Sequence, residues 1–435
     1  MDKNKKNKVI IFTALVSVFL CCVVFSFMSM RGEPPVMPGT QSTAPKETTQ
    51  EQTTEPSEPY VVSTATVGSA GDVLIHKPIY ENALQSGGSY NFDHLFTYCS
   101  DVIKDCDYFV ANLETTLGGT EGRTYKGYPR FNSPDAIVDS LKKAGVDCLL
   151  TANNHTFDTN GAGVLRTLSV IDKAKLDHIG TQSSTDEKTY IVEDVNGISF
   201  GFACYTYETK TTEGRKALNG ILVDKETAEI INSFNYEKLD EFYSELKNDM
   251  KNMKADGADV IAVYLHWGNE YQTTQNDTQK RIAQKLCNMG VDVIIGGHPH
   301  VVQPVDILKS ENGKHQTVCV YSLGNMVSNQ RRSYMGLKTG HTEDGLIFKM
   351  TFSKYSDGTV KFDKVKCVPT WVHYYSQNGK KVHAIVPLSA SLDGKASALG
   401  LNKTGDGLKN AKQSYDRTMA LVGEGEKKIN KALSK

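Results

Sequence analysis

Residues 291 to 300, Val-Asp-Val-Ile-Ile-Gly-Gly-His-Pro-His, constrain the fold more than any other stretch of the chain: a short apolar run stops on two glycines and delivers two histidines one residue apart. Apart from Asp292, Val291 to Ile295 is β-branched, and it ends in three consecutive apolar residues, the pattern of a strand covered on both faces. Gly296 and Gly297 allow a tight turn and close approach of a ligand, and Pro299 stiffens the segment carrying both imidazoles. Histidine is the commonest metal-binding side chain, so His298 and His300 can ligate one metal or split between two. A surface loop that happens to hold two histidines has the same local sequence, and the remaining motifs must decide between these readings.

The chain of 435 residues is long enough for one large domain or two ordinary ones, and its 39% hydrophobic content suffices for a core. A formal net charge of −1 argues against a nucleic-acid or polyanion-coating role for the whole protein, and no nucleic-acid partner is expected. A basic N-terminus, residues 1–8, precedes an uncharged run of 22 residues, Val9 to Met30, followed by Arg31. That run is long enough to span a hydrocarbon core of ~30 Å, and the lysines before it direct the rest of the chain outside the cell. It exceeds an ordinary signal-peptide core and no Ala-x-Ala site follows, so residues 9–30 read as an uncleaved transmembrane signal anchor in the cell membrane. Residues 31–60, rich in Pro, Thr, Ser and Glu, read as a disordered tether. A folded domain is expected over 61–390, with a Lys-rich tail over 391–435 that holds a surface helix near 407–421 and is otherwise loose. Seven of the nine cysteines lie outside the span without disulfide or zinc-finger spacing, and most read as core residues.

From Val61 the pattern is α/β. Strands are expected at Val61–Val67, Tyr108–Ala111, Val146–Thr151, Ile198–Tyr205, Val260–Leu265, Val291–Ile295 and Thr317–Tyr321. Helices are expected at Pro134–Ala144, Gly163–Ala174, Tyr236–Met253 and Gln275–Met289, and two further strands at residues 345–370 around a turn at Ser356-Asp357-Gly358. Five strand ends carry ligand-type residues: Asp72 with His76; Asn112 and Glu114; Asn153, Asn154 and His155 with Asp158; His266 with Glu270; and His298 with His300. The carboxyl ends of parallel strands share one edge, so these loops should converge there. Any one motif also fits a turn, a cap or a core histidine, but all five together make a site.

The ordered set Gly-Asp (71–72), Asn-Leu-Glu (112–114), Ala-Asn-Asn-His-x-x-Asp (152–158), His-Trp-Gly-x-Glu-Tyr (266–271), Gly-x-His-Pro-His-Val-Val-Gln-Pro (296–304) and Ser-Leu-Gly-Asn (322–325) resembles the CapA/PgsA family of poly-γ-glutamate capsule synthesis proteins. That family is similar to the calcineurin-like metallophosphoesterases. The resemblance implies a β-sandwich flanked by helices (α/β/β/α) with two divalent metal ions, of which Mn, Fe or Zn suit mixed oxygen and imidazole ligands. It implies Asp72, Glu114, Asn154, His266, His298 and His300 as metal ligands, with Glu114 at the bridging position and His155 as the catalytic acid. The chain departs from the phosphoesterase pattern in two places: His76 stands four residues after Asp72 instead of two, and Glu114 replaces the usual bridging aspartate.

Asp158 and Glu270 are expected to orient His155 and His266, with His76, Asn112 and Asn153 around the ligands. Lys126 and Arg130 either steer an anionic substrate or are ordinary solvated charges. The expected function is a membrane-anchored, extracellular hydrolase of the phosphoesterase type in synthesis or export of a capsule or envelope polymer. Its partners would be an anionic polymer or phosphoester substrate and membrane-embedded synthase components. A non-catalytic assembly factor that binds polymer on the same fold is the alternative.

Overall fold

The computed structural model describes residues 58–212 and 214–434. Strands β1 (Val61–Val73), β2 (Tyr108–Asn112), β3 (Cys148–Leu150) and β4 (Asp177–Ile179) run parallel, joined by helices such as Ala136–Ala144 and Asn160–Ala174. The chain then crosses to a second sheet. There it lays down β5 (Tyr190–Val195) and β6 (Ile198–Tyr207), a small ribbon of β7 (Ala217–Leu218) and β8 (Ile221–Leu222), then β9 (Ser233–Phe234) and β10 (Val260–His266). β11 (Val293–Gly297), β12 (Val305–Lys309) and β13 (Gln316–Val320) complete this sheet in the order β12-β13-β11-β10-β6-β5. The chain returns to the first sheet with β14 (Asn325–Val327), β15 (Asp344–Tyr355), β16 (Val360–Gln377) and β17 (Lys380–Pro387), giving the order β17-β16-β15-β1-β2-β3-β4.

Strand alternation explains the layers. Val67, Tyr108 and Val110 of the first sheet meet Phe202, Ala262, Tyr264, Val293 and Ile295 of the second in one core. The intervening residues face outward: Phe109 and Ala111 pack with Ile137 and Leu141 of the helix Ala136–Ala144, whereas Ile261, Val263 and Leu265 pack with Leu246 and Leu286 of helices Leu239–Ala255 and Asp277–Met289. Each central strand is therefore apolar on both faces, which is why it reads as an unbroken apolar run. The expected single parallel edge is in fact built from two sheets packed face to face.

β1 is longer than its apolar run predicts, so Asp72 lies in the strand and not in a loop after it. β14 adds to its end in parallel, with Asp72 opposite Asn325 and the Asp72 amide donating to the Gly324 carbonyl at 3.0 Å. Only glycine fits at position 71, where a Cβ would stand 1.8 Å from that carbonyl oxygen.

The helix expected near 407–421 is present, but it runs on through the expected loose tail, over Gly407–Leu433, and is not a surface element. It buries Val422 and Ile429 in the inter-sheet core, and its Glu426 and Asn430 side chains accept the β16 amides of Cys367 and Val365. Those amides lie beyond the stretch of β16 that β17 pairs, so the helix satisfies an otherwise open edge. The seven cysteines of the described region are free, and all but Cys106 are buried. Among the described residues no helix is long and apolar enough to cross a membrane, and the expected span 9–30 lies outside them.

Candidate metal centre

The carboxyl ends of β1, β2, β3, β10 and β11 converge across the two sheets, and the ligand-type residues they carry meet in a buried cluster. Donor atoms of Asp72, Glu114 and His266 lie within 4.8 Å of one another, as do those of Glu114, His298 and His300. Glu114 belongs to both sets. Asn154 joins them through its Oδ1, 2.9 Å from His266 Nε2, which also stands 3.5 Å from Glu114.

Both Glu114 oxygens are buried without a hydrogen-bond partner, as is His298 Nδ1. Burial pushes the Glu114 carboxyl well above the ordinary carboxylate range, and the Asp72 charge adds to the effect. Burial also opposes Asp72, but the hydrogen bond from His300 and the nearby His266 outweigh it and hold this carboxyl below its usual value. His266 is held neutral by burial, its pKa lowered to about 3, and His298 is lowered well below its ordinary value for the same reason. An unpartnered buried carboxylate beside a second carboxylate and neutral imidazoles is costly unless a cation meets it. These residues fit a divalent metal centre.

Hydrogen bonds fix the donors. Asn112 Nδ2 donates to Asp72 Oδ1 at 2.7 Å, and Asn153 Nδ2 donates to Asn112 Oδ1 and to the Leu113 carbonyl. Asn325 Nδ2 faces three acceptors, the His300 carbonyl, Gln330 Oε1 and the Thr342 carbonyl, so its Oδ1 must be the atom that accepts from His300 Nδ1 at 3.1 Å. His300 therefore presents Nε2 toward Glu114, 3.9 Å away. The backbone is strained at this point, with φ of 94° at His298 and 56° at His300.

His155 stands beside the ligands, not among them. Its Nδ1 lies 2.8 Å from Asp158 Oδ2, which also accepts the Phe131 amide, and the Phe131 ring meets the imidazole edge-on.

Of the residues expected around the ligands, Glu270 is the one whose expected role changes. His76 is in neither ligand set: its Nδ1 accepts the Asn329 amide and its ring meets Phe131, because the turn after β1 carries it past the donors. Glu270 is exposed at the rim and does not orient His266, whose nitrogens face Asn112 and Asn154. Lys126 and Arg130 are exposed and make no ion pair among the described residues.

Two contributors escaped sequence reasoning. Tyr207, at the end of β6, packs against His298 at 4.8 Å and lies parallel to His266 at 6.4 Å, while Asn325 fixes His300. A sixth parallel strand ending at the same edge was the available signal for Tyr207, but tyrosine is not a usual ligand type.

Comparison with known proteins places this geometry. The family described as bacterial capsule synthesis protein PGA_cap matches residues 66–330, which include every clustered residue named above. The capsule biosynthesis protein CapA of Bacillus anthracis is 28% identical over 276 residues, covering 61% of this chain and 60% of that protein. The PGA biosynthesis protein CapA of Bacillus subtilis (strain 168) is 29% identical over 265 residues, covering 60% of this chain and 62% of that protein. The match thus spans about three fifths of each relative's length.

Proposed function

The chain belongs to the bacterial capsule synthesis family PGA_cap, and from that premise we propose that it is a membrane-anchored, extracellular, metal-dependent hydrolase of the phosphoesterase type, acting in synthesis or export of a poly-γ-glutamate-like capsule or envelope polymer. The observation that carries this reading is the fully buried Glu114 carboxylate, unpartnered and shared by two sets of donors. Asp72, Glu114, Asn154, His266, His298 and His300 would hold two divalent ions of the Mn, Fe or Zn kind, with Glu114 bridging. Such ions supply the positive charge that activates water and stabilises charge at phosphorus.

The chain's own residues do the rest. Asp158 holds the His155 imidazole so that its other nitrogen is free to deliver a proton to a leaving oxygen. Tyr207 and Phe131 wall the histidines from solvent. Membrane-embedded synthase components are the expected partners, and the span at residues 9–30 the expected anchor.

Assays on phosphomonoesters and phosphodiesters, with capsule complementation by Asn154→Ala and His298→Ala, test this reading. Loss of both activity and capsule is expected. A folded, metal-bearing chain that cleaves no phosphoester, in a strain whose capsule survives both substitutions, would end it.

One observation favours a second reading, a non-catalytic assembly factor. His76 is engaged by Asn329 and Phe131, so the first set lacks the histidine that phosphoesterases place two residues after the aspartate. Capsule formation retained by the ligand variants would support it.

A further inference from the structure

Beside the metal centre lies a surface whose chemistry the hydrolase reading does not use. The loop after β14 leaves the site through Gln330, which accepts from Asn325 and reaches the Tyr271 hydroxyl at 3.4 Å, and through Asn329, which bonds both His76 and His383. Beyond His383 stands Tyr374, its ring 4.8 Å away. Tyr374 is the hub of the surface: its hydroxyl pairs with that of the exposed Tyr334 at 2.8 Å, and the Arg331 guanidinium and the Lys381 ammonium stand 5.4 and 5.5 Å from its ring centre.

The charge around this hub is one-sided. Residues 328–341 and 372–384 contain Arg331, Arg332, Lys338, Lys380 and Lys381 and no Asp or Glu. Glu343 neutralises Arg331 at 2.8 Å, but Arg332, Lys338, Lys380 and Lys381 are exposed and have no carboxylate partner among the described residues. Lys188, Lys210, Lys412 and Lys428 elsewhere each meet an Asp or Glu, whereas here four cations of two adjoining segments go without one among the described residues. A chain whose net charge is −1 thus keeps an uncompensated cationic and aromatic surface joined by hydrogen bonds to its buried centre. The unpaired cations come from two separate segments, Arg332 and Lys338 from one and Lys380 and Lys381 from the other, which suits repeated charges along a strand better than a small anion.

We propose that Arg332, Tyr334, Lys338, Tyr374, Lys380 and Lys381 form a track on which a linear polycarboxylate lies as it passes the metal centre. The inference rests on the proposed polymer function and deepens it. Lysines and Arg332 meet the carboxylates, while the exposed Tyr334, held by the Tyr374 hydroxyl, offers an apolar face to the methylene groups between charges.

The test measures binding of the full chain to poly-γ-glutamate, and to inorganic polyphosphate of matched charge number, at low and at physiological salt. Wild type is compared with Arg332→Glu/Lys380→Glu/Lys381→Glu, with Tyr374→Ala, and with a control reversal of the exposed Lys104, Lys173 and Lys175, which lie outside the track. The track variant should bind polyglutamate about tenfold more weakly or worse, with a flatter salt dependence, while metal content and control binding stay unchanged. Tyr374→Ala should weaken binding with the salt dependence preserved. Equal binding by wild type and track variant overturns the proposal while leaving the hydrolase reading intact, since metal content and phosphoester cleavage report on that reading separately. No polyglutamate binding by wild type, or a preference for polyphosphate that the track variant abolishes, overturns the carboxylate assignment.

Discussion

Glutamine at position 114 should reverse its effect on stability according to whether metal is bound. In the metal-free chain the Glu114 carboxylate is buried, unpartnered and beside Asp72, and leaving such a group unsatisfied costs about 1–3 kcal/mol. A glutamine side chain there would carry no charge, and its amide could donate toward Asp72. Metal-free Glu114→Gln is therefore expected to be about 1–3 kcal/mol more stable than wild type at pH values where Glu114 is ionised. Because the folded-state pKa of Glu114 lies above its unfolded value, its ionisation destabilises the fold as pH rises through the folded pKa. The advantage of glutamine should thus be greatest above the folded pKa of Glu114 and shrink as the pH falls toward the unfolded carboxylate value near 4.3. With manganese in excess the order inverts, since binding at 1,000 times the dissociation constant stabilises wild type by about 4.1 kcal/mol and the variant lacks a shared ligand. Urea denaturation of chelator-treated and manganese-loaded protein reads both. A metal-free variant less stable than wild type at high pH, or one that gains as much from manganese, would refute the reasoning.

Three other outcomes follow from the same geometry. Gly297→Ala would put a Cβ 2.9 Å from Asp72 Oδ1, so metal uptake by elemental analysis should fall at least severalfold in a folded protein; undiminished uptake would contradict the packing described. Asn325→Ala removes the acceptor for His300 and three donor contacts, and should cost about 1–3 kcal/mol by denaturant titration together with weaker metal retention. His383, fully buried on Asn329, has its pKa lowered to about 3 by burial, so folding excludes its charged form. Stability should therefore drop as pH falls below about 6.5, by about 2 kcal/mol at pH 5 for this residue, and His383→Gln should flatten that profile.

The parallel strands were legible because strands covered on both faces read as apolar runs, and their ends were legible because Asp, Asn, Glu and His interrupt those runs. The division into two sheets was not legible from spacing, since β3 and β10 look alike locally and only their partners differ. The β16–β17 hairpin did leave a signal: Asn378-Gly379 takes φ of 52° and 75°, as tight hairpins demand, but His373 and His383 on either side obscured the apolar pattern. The full length and the burial of the C-terminal helix were hidden by composition, although its first half was expected. Its buried face is made of Ala411, Ser414, Thr418, Val422 and Ile429, small or polar for the most part, against a lysine-rich exposed side. In the site, ligand types were readable, whereas Tyr207 acts through ring packing and Asn325 through amide orientation, which residue type alone does not announce.

The central claim, that the convergent strand ends form a metal centre, is tested most directly by elemental analysis of the purified full chain beside Asp72→Ala and His298→Ala. About two equivalents of a divalent transition metal in wild type, with clear loss in each folded variant, is the predicted result. A folded wild-type chain that holds no metal after incubation with manganese, iron or zinc, or variants that retain as much as wild type, would contradict it.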